Sequence, residues 1–347
     1  MKTPRMLDDI RNQPASLTAV LDHHFGDGRR ALLTAAAKLK TASEIVISGM
    51  GASHFAAMPL ASLLISRGVR AHVVEAAELL HYERRLCRGA TVVLVSRSGN
   101  TIEVAKLIPI LRELGAQVIG VTNERDSQLA SDADFPIIAN SGKDEMVAVQ
   151  SYTGSLLTML ALGAAIFEEA DEKWRADAQN AIGGVRRGVE AFLGQSEGWR
   201  AFVESARVMY VLGRGPSLAS VHEGALLFNE SARLPSVAMP AGTFRHGPVE
   251  VADANFHAVV FATHKETLEL DLALAADLEK MGAQVQTVSP AGSWPIYEAA
   301  RQFLPLVEIV PLQIAALRAA EVRGVYPGGF RYVSQVTTSE TGFNAPA

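Results

Sequence analysis

Two hydrophobic rhythms alternate along the chain. Short β-branched runs, nearly all apolar, are separated by longer stretches in which apolar residues recur every three or four positions. In the first half this pattern predicts strands over residues 44–48, 71–75, 91–96, 117–122 and 135–139, with helical segments between the first four. Strands that are apolar throughout, rather than alternating, belong to a parallel sheet covered on both faces. Strand–helix alternation of this kind predicts a doubly wound α/β domain. A long apolar helix, about 148–169, closes it.

The second half repeats the plan. LGAQVIGVT at 114–122 returns as MGAQVQTVS at 281–289, and GMGAS at 49–53 returns as GRGPS at 213–217. TVVLVS at 91–96 returns loosely as AVVFAT at 258–263. The first and third pairs share an offset of 167 residues and the second is offset by 164. Gly-rich turns after strands are common to all α/β domains, but several matched elements at one offset point to duplication. A polar stretch of helical period at 171–194 joins the halves. The expected layout is an N-terminal arm (1–30), a first domain (31–170), a linker helix (171–196), a second domain (197–325) and a C-terminal tail (326–347).

Composition narrows the classes. The chain has 347 residues, 48% hydrophobic and 20% charged, enough for two globular domains. A net charge of −5 argues against a nucleic-acid surface, which needs a basic patch. No secretory signal is visible and no apolar run looks long enough to span a bilayer, so no membrane partner is expected. The single cysteine, Cys87, fits a reducing, cytoplasmic location. Arg84, Arg85 and Arg88 around it would lower its pKa, but no base partner is visible and an incidental thiol is the plainer reading.

The chemistry starts where the strand at 91–96 ends. VVLVSRSGNT passes from four apolar residues to Ser96, Ser98 and Thr101 around Gly99, and the helix TIEVAKLIPILREL follows at once. Ligands of a doubly wound sheet sit beyond the carboxyl ends of its strands. Free N–H groups and the helix dipole there favour an anion, Gly99 permits close backbone approach, and the hydroxyls add uncharged donors. The result is a phosphate cradle without a lysine, unlike a P-loop. The plainer alternative is helix capping by Ser98 or Asn100, though a cap needs one hydroxyl and this turn has three. At the matching turn the second half reads THKET, with no glycine and with Glu266, which repels phosphate. Only the first half is expected to hold the phosphate.

A competing reading takes Gly49 and Gly51 after the first strand, with Glu75 ending the next, as a dinucleotide fingerprint. Its third glycine position is His54, so the fingerprint is incomplete. The second half offers acid–base groups instead. Glu223 and Glu230 lie seven apart, two helical turns, and face the same way. A glutamate in a cleft shuttles a proton between adjacent carbons, and a histidine such as His246 opens a sugar ring. A solvated Glu230 and a turn residue at His246, before Gly-Pro, are the plainer alternatives. No metal-ligand spacing occurs among the nine histidines and one cysteine, so no metal is expected.

With SRSGNT, the Gly-x-Gly turn before Ser53, EGALLFNE and FRHGP in this order, the chain resembles the SIS (sugar isomerase) family in its tandem form. Within it, the likeness is to the isomerase half of glucosamine-6-phosphate synthases and to phosphosugar deaminases, over nearly the whole chain. The resemblance implies two flavodoxin-like domains, a small-molecule sugar phosphate as substrate, no cofactor, and a homodimer with shared active sites. It implies phosphate binding by Ser96, Arg97, Ser98, Gly99, Asn100 and Thr101, with Gly51 and Ser53 nearby. Glu230 would move a proton between C1 and C2, His246 would open the ring across the dimer, and Glu223 would support the sugar or the helix. The activity implied is an aldose–ketose 6-phosphate isomerase or an aminosugar-phosphate deaminase. The chain opens at MKTPRMLDDI, so a glutaminase domain is not expected. The synthases' lysine stands at Leu227 here, their tail lysine falls at Tyr332, Ser334 or Gln335, and their V-A-S-T-K stretch reads VAVQSYTG. A lysine serves Schiff-base chemistry. Its absence keeps a second reading open, a non-catalytic sugar-phosphate-binding regulator.

Overall fold

The computed structural model describes residues 5–342, with Ser196 placed by its backbone alone. The chain divides into two compact lobes. The first comprises Ala15–Lys143, Gln150–Ala178 and Arg331–Ala347; the second comprises Met1–Pro14, Asp144–Val149 and Gln179–Phe330.

In the first lobe the five apolar runs form β1 (Ile45–Gly49), β2 (Ala71–Glu75), β3 (Thr91–Val95), β4 (Gln117–Thr122) and β5 (Phe135–Ile138). All pair in parallel, in the order β2-β1-β3-β4-β5. Every predicted strand is present, with ends displaced by at most one residue. Burial of all five residues of β1 and of β3 explains their lack of alternation. The Ile102–Glu113 helix carries Val104, Leu107, Ile108 and Leu111 on one face and packs them with Val92, Leu94 and Val118 of the sheet. Each such side chain contributes about 1.5–3 kcal/mol when fully buried. The Gln150–Ile166 helix is buried at every position, its polar residues Gln150, Ser151, Thr153, Ser155 and Thr158 included, so it carries no solvent-facing stripe. Cys87 lies wholly inside this lobe, and burial pushes its thiol up to about 11. The neighbouring arginines therefore do not activate it.

The second lobe repeats the topology with β6 (Met209–Gly213), β7 (Ser236–Pro240), β8 (His257–Phe261), β9 (Gln284–Ser289) and β10 (Trp294–Pro295). The order β10-β9-β8-β6-β7, again all parallel, is the first sheet's order read from the other edge. Register corrects one offset. Ile45 pairs with Thr91 in the first sheet and Met209 with His257 in the second, so His257 rather than Ala258 is the counterpart of Thr91. The β3–β8 offset is therefore 166 residues, one less than the sequence match gave. The run Arg301–Val322 is also long and apolar enough to cross a membrane by length and composition, with mean hydropathy 1.5, contrary to expectation. It is a core segment of its lobe: 89% of that window is buried inside the protein.

Candidate functional site

In the order β2-β1-β3-β4-β5 the chain reverses direction across the sheet between β1 and β3, and a crevice opens beyond their carboxyl ends. Two turns meet there. After β1, Gly51 opens the Gly51–Ser66 helix and Ser53 sits in its first turn. After β3 comes Ser96–Thr101. The Arg97 backbone N–H donates to Ser53 Oγ at 3.2 Å and ties the turns together. Ser96 is buried; its Oγ lies 2.9 Å from Thr101 Oγ1 and accepts the Gly99 N–H at 3.1 Å. Ser98 Oγ accepts the Asn100 N–H at 3.3 Å, and Asn100 Oδ1 accepts the Gln128 N–H at 2.9 Å.

The capping alternative fails here. The residue at the N-cap of Ile102–Glu113 is Thr101, and it makes no side-chain cap bond. Ser98 and Asn100 bond elsewhere in and around the turn, so the helix end keeps its dipole uncapped by a side chain. Gly99 has φ +63°, and a Cβ there would lie 2.1 Å from Ser127 Oγ and 2.9 Å from Thr122 Oγ1. Packing against these hydroxyls by itself requires a glycine here.

The tail of the same lobe crosses this turn. The Arg97 guanidinium donates to the Gln335 carbonyl at 2.8 Å, and the Ile102 N–H donates to the Thr337 carbonyl at 3.1 Å. Further along, Glu340 accepts from Lys106 and lies 2.6 Å from His81 Nε2. Lys106 and His81 hold the Glu340 carboxyl below its ordinary range. The Thr337 carbonyl thus occupies the Ile102 amide at the helix end.

Glu75 does not serve a ribose. It is the N-cap of a short helix, and its Oε2 accepts from the Ala77 and Glu78 N–H groups at 3.0 and 3.1 Å. Nothing is left of the dinucleotide fingerprint's acid.

In the second lobe, Glu223 and Glu230 lie on the Leu218–Ala232 helix. Glu223 is 1% exposed and its Oε2 has no hydrogen-bond partner. Burial raises its pKa well above the ordinary carboxyl value, and the charges of Glu230 and Asp144 raise it further. Burial thus favours the neutral form of Glu223; Glu230 is half-buried, and Leu227 between them is buried. Asp144 is a buried member of this group that the pattern of the sequence did not reveal. It lies on an irregular segment, where no periodicity marks a residue as inward. His246 is exposed, just after the Ala241–Phe244 helix, with its N–H on the Thr243 carbonyl at 3.0 Å. It is not among the charges acting on Glu223. Among the described residues no three His, Cys, Asp or Glu side chains form a metal-holding group.

A model of the SIS domain matches residues 38–168 and again 203–308. The chain belongs to the SIS domain family. The two SIS matches fall on the strands of the two sheets. A curated relative, the isomerizing glutamine–fructose-6-phosphate aminotransferase of Pyrobaculum aerophilum, is 27% identical over 96% of this chain. This SIS chain spans 57% of that protein's length. Among solved structures, the C-terminal domain of a glucosamine-fructose-6-phosphate aminotransferase from Francisella tularensis superposes with TM-score 0.83 at 19% identity, covering 93% of this chain and 97% of that one. A glucosamine-6-phosphate deaminase from Thermotoga maritima does so with TM-score 0.77 at 22% identity, covering 96% and 99%. These similarities establish two SIS lobes of the same fold.

Proposed function

We propose that this SIS chain binds a hexose or hexosamine 6-phosphate and moves a proton between C1 and C2, as an aldose–ketose isomerase or an aminosugar-phosphate deaminase. The observation that carries the reading is the lysine-free hydroxyl turn at the switch point of the first sheet, beside a helix end with no side-chain cap. Ser53, Ser96, Ser98, Thr101 and the Arg97 side chain bind the phosphate. Glu230 takes a proton from the carbon next to the carbonyl and forms the enediol or enediolamine. In the isomerase it returns the proton to the neighbouring carbon; in the deaminase the same protonation gives a ketimine, water adds to its carbon and ammonia leaves, giving the ketose phosphate. Glu223, buried, supports the helix that carries Glu230. His246 opens the ring, reaching the site of a second copy in a cytoplasmic homodimer. The relatives' names, a fructose-6-phosphate aminotransferase and a glucosamine-6-phosphate deaminase, support this substrate class.

Two observations favour the regulator reading. The tail's carbonyls occupy Arg97 and the Ile102 amide, and the buried Leu227 stands where the synthases that the chain resembles carry a lysine. Solvent exchange decides. In D₂O, fructose 6-phosphate or glucosamine 6-phosphate is expected to lose its C1 or C2 proton to solvent in the presence of the protein. Binding across a panel of sugar phosphates with no exchange would make the chain a sensor.

A further inference from the structure

The second sheet has a switch point of its own, between β6 and β8, and it is filled. Ser217 lies four residues beyond the end of β6, as Ser53 lies four beyond β1. Thr263 lies two residues beyond β8, as Arg97 lies two beyond β3. The two places correspond by topology and by register. Into this one comes Glu308, the last residue of the Leu304–Glu308 helix. Its Oε2 accepts from Ser217 Oγ at 3.1 Å and Thr263 Oγ1 at 2.9 Å, and its Oε1 accepts from Ser220 Oγ at 2.9 Å. Ser217 Oγ and Thr263 Oγ1 lie 3.0 Å apart, so the hydroxyls converge. Glu308 and Ser220 have no exposed surface, and Ser217 has 1%.

Three hydroxyls converging on one carboxylate at the crevice of a doubly wound sheet share the hydroxyl chemistry of the first lobe's turn, without its arginine. The difference is the occupant. We propose that the second lobe retains an anion site of the duplicated fold, that the Glu308 carboxylate is its built-in ligand, and that removing this side chain opens the pocket to a small oxoanion such as acetate or phosphate. Burial drives the carboxyl up to about 7, and the three donors act against that rise, as they do for a bound anion. Glu266 lies in the turn itself but pairs outward with Arg301 at 2.9 Å. It is Glu308, not Glu266, that closes the second site. The inference stands on the second lobe alone and is independent of what the first lobe binds.

The test is the thermal midpoint of the full chain in sodium acetate or phosphate against chloride at equal ionic strength. Glu308→Ala is expected to gain a saturable rise with acetate that wild type lacks. Glu308→Gln, whose amide fills the same space, is expected to lack it too. An identical acetate response in all three proteins, or none in Glu308→Ala, overturns the proposal. Glu308→Ser is a second cavity-forming variant, with the expectations of Glu308→Ala. If neither folds in chloride, recovery of folded protein in acetate or phosphate supports the proposal, and no recovery in either overturns it. A phosphate response of equal size in wild type and variants reports on the first lobe and leaves the acetate comparison to decide.

Discussion

Glu223 is a carboxyl with no good reason to be charged, and its chemistry follows from that. Its folded pKa lies well above its unfolded value near 4.5. The folded state therefore holds a proton that the unfolded state releases, and stability falls as pH rises above 4.5. Glu308 has the same sign, with its loss spread from 4.5 to about 7. Glu223→Gln, neutral at every pH, is expected to narrow the fall of the thermal midpoint between acid and neutral pH; an unchanged slope would show Glu223 ionised. Glu230→Gln is expected to keep sugar-phosphate affinity and lose solvent exchange by about 10²–10⁴-fold, read in D₂O by NMR. Ser98→Ala with Thr101→Ala is expected to abolish the affinity itself, measured by calorimetry. At this scale the sequence revealed groups that sit in a motif, such as Glu223 and Ser96. It hid Asp144 and Glu308, because a buried acid in a loop or at the end of a short apolar helix leaves no periodic mark.

The elements were legible because their burial is one-sided in kind. Strands covered on both faces read as apolar runs, and the Ile102–Glu113 helix reads from its buried stripe. β7 is half-exposed and β10 has two residues, so neither offers a run to see. The offset misread by one residue shows the limit of matching apolar runs, since TVVLV fits HAVVF or AVVFA almost equally well and only the ladder chooses. Turns carry the testable energetics. Gly99→Ala forces a left-handed residue with a side chain, about 1–2 kcal/mol, and adds the collision with Ser127. The thermal midpoint and sugar-phosphate affinity are expected to fall together. Gly224→Ala sets two effects against each other: about 1 kcal/mol of helix propensity gained and about 1–3 kcal/mol of overpacking lost. A Cβ there would lie 1.9 Å from Leu312 Cδ2, so overpacking wins and the midpoint is expected to drop.

Across the whole molecule, each lobe is assembled from distant stretches of chain, and the first takes in the stretch that starts at Arg331. Glu340, bonded by Lys106 and His81, lies three residues beyond Thr337, whose carbonyl accepts the Ile102 amide. Glu340→Gln is expected to speed deuterium exchange in the peptide spanning 97–106, and added salt is expected to act in the same direction on the wild type. Exchange indifferent to both would mean the tail is held by other contacts. Nothing in the tail's composition forecast this crossing, because its bonds to the turn use backbone carbonyls, which every sequence has. The carboxylate in the second lobe has a different consequence. A dissociable ligand leaves when its supply is diluted, but a guest tethered by its own polypeptide is present at one equivalent for as long as the lobe is folded. On the proposed reading, the second switch point stays closed to outside anions for as long as its lobe is folded, and a sugar phosphate has only the first lobe's switch point to enter.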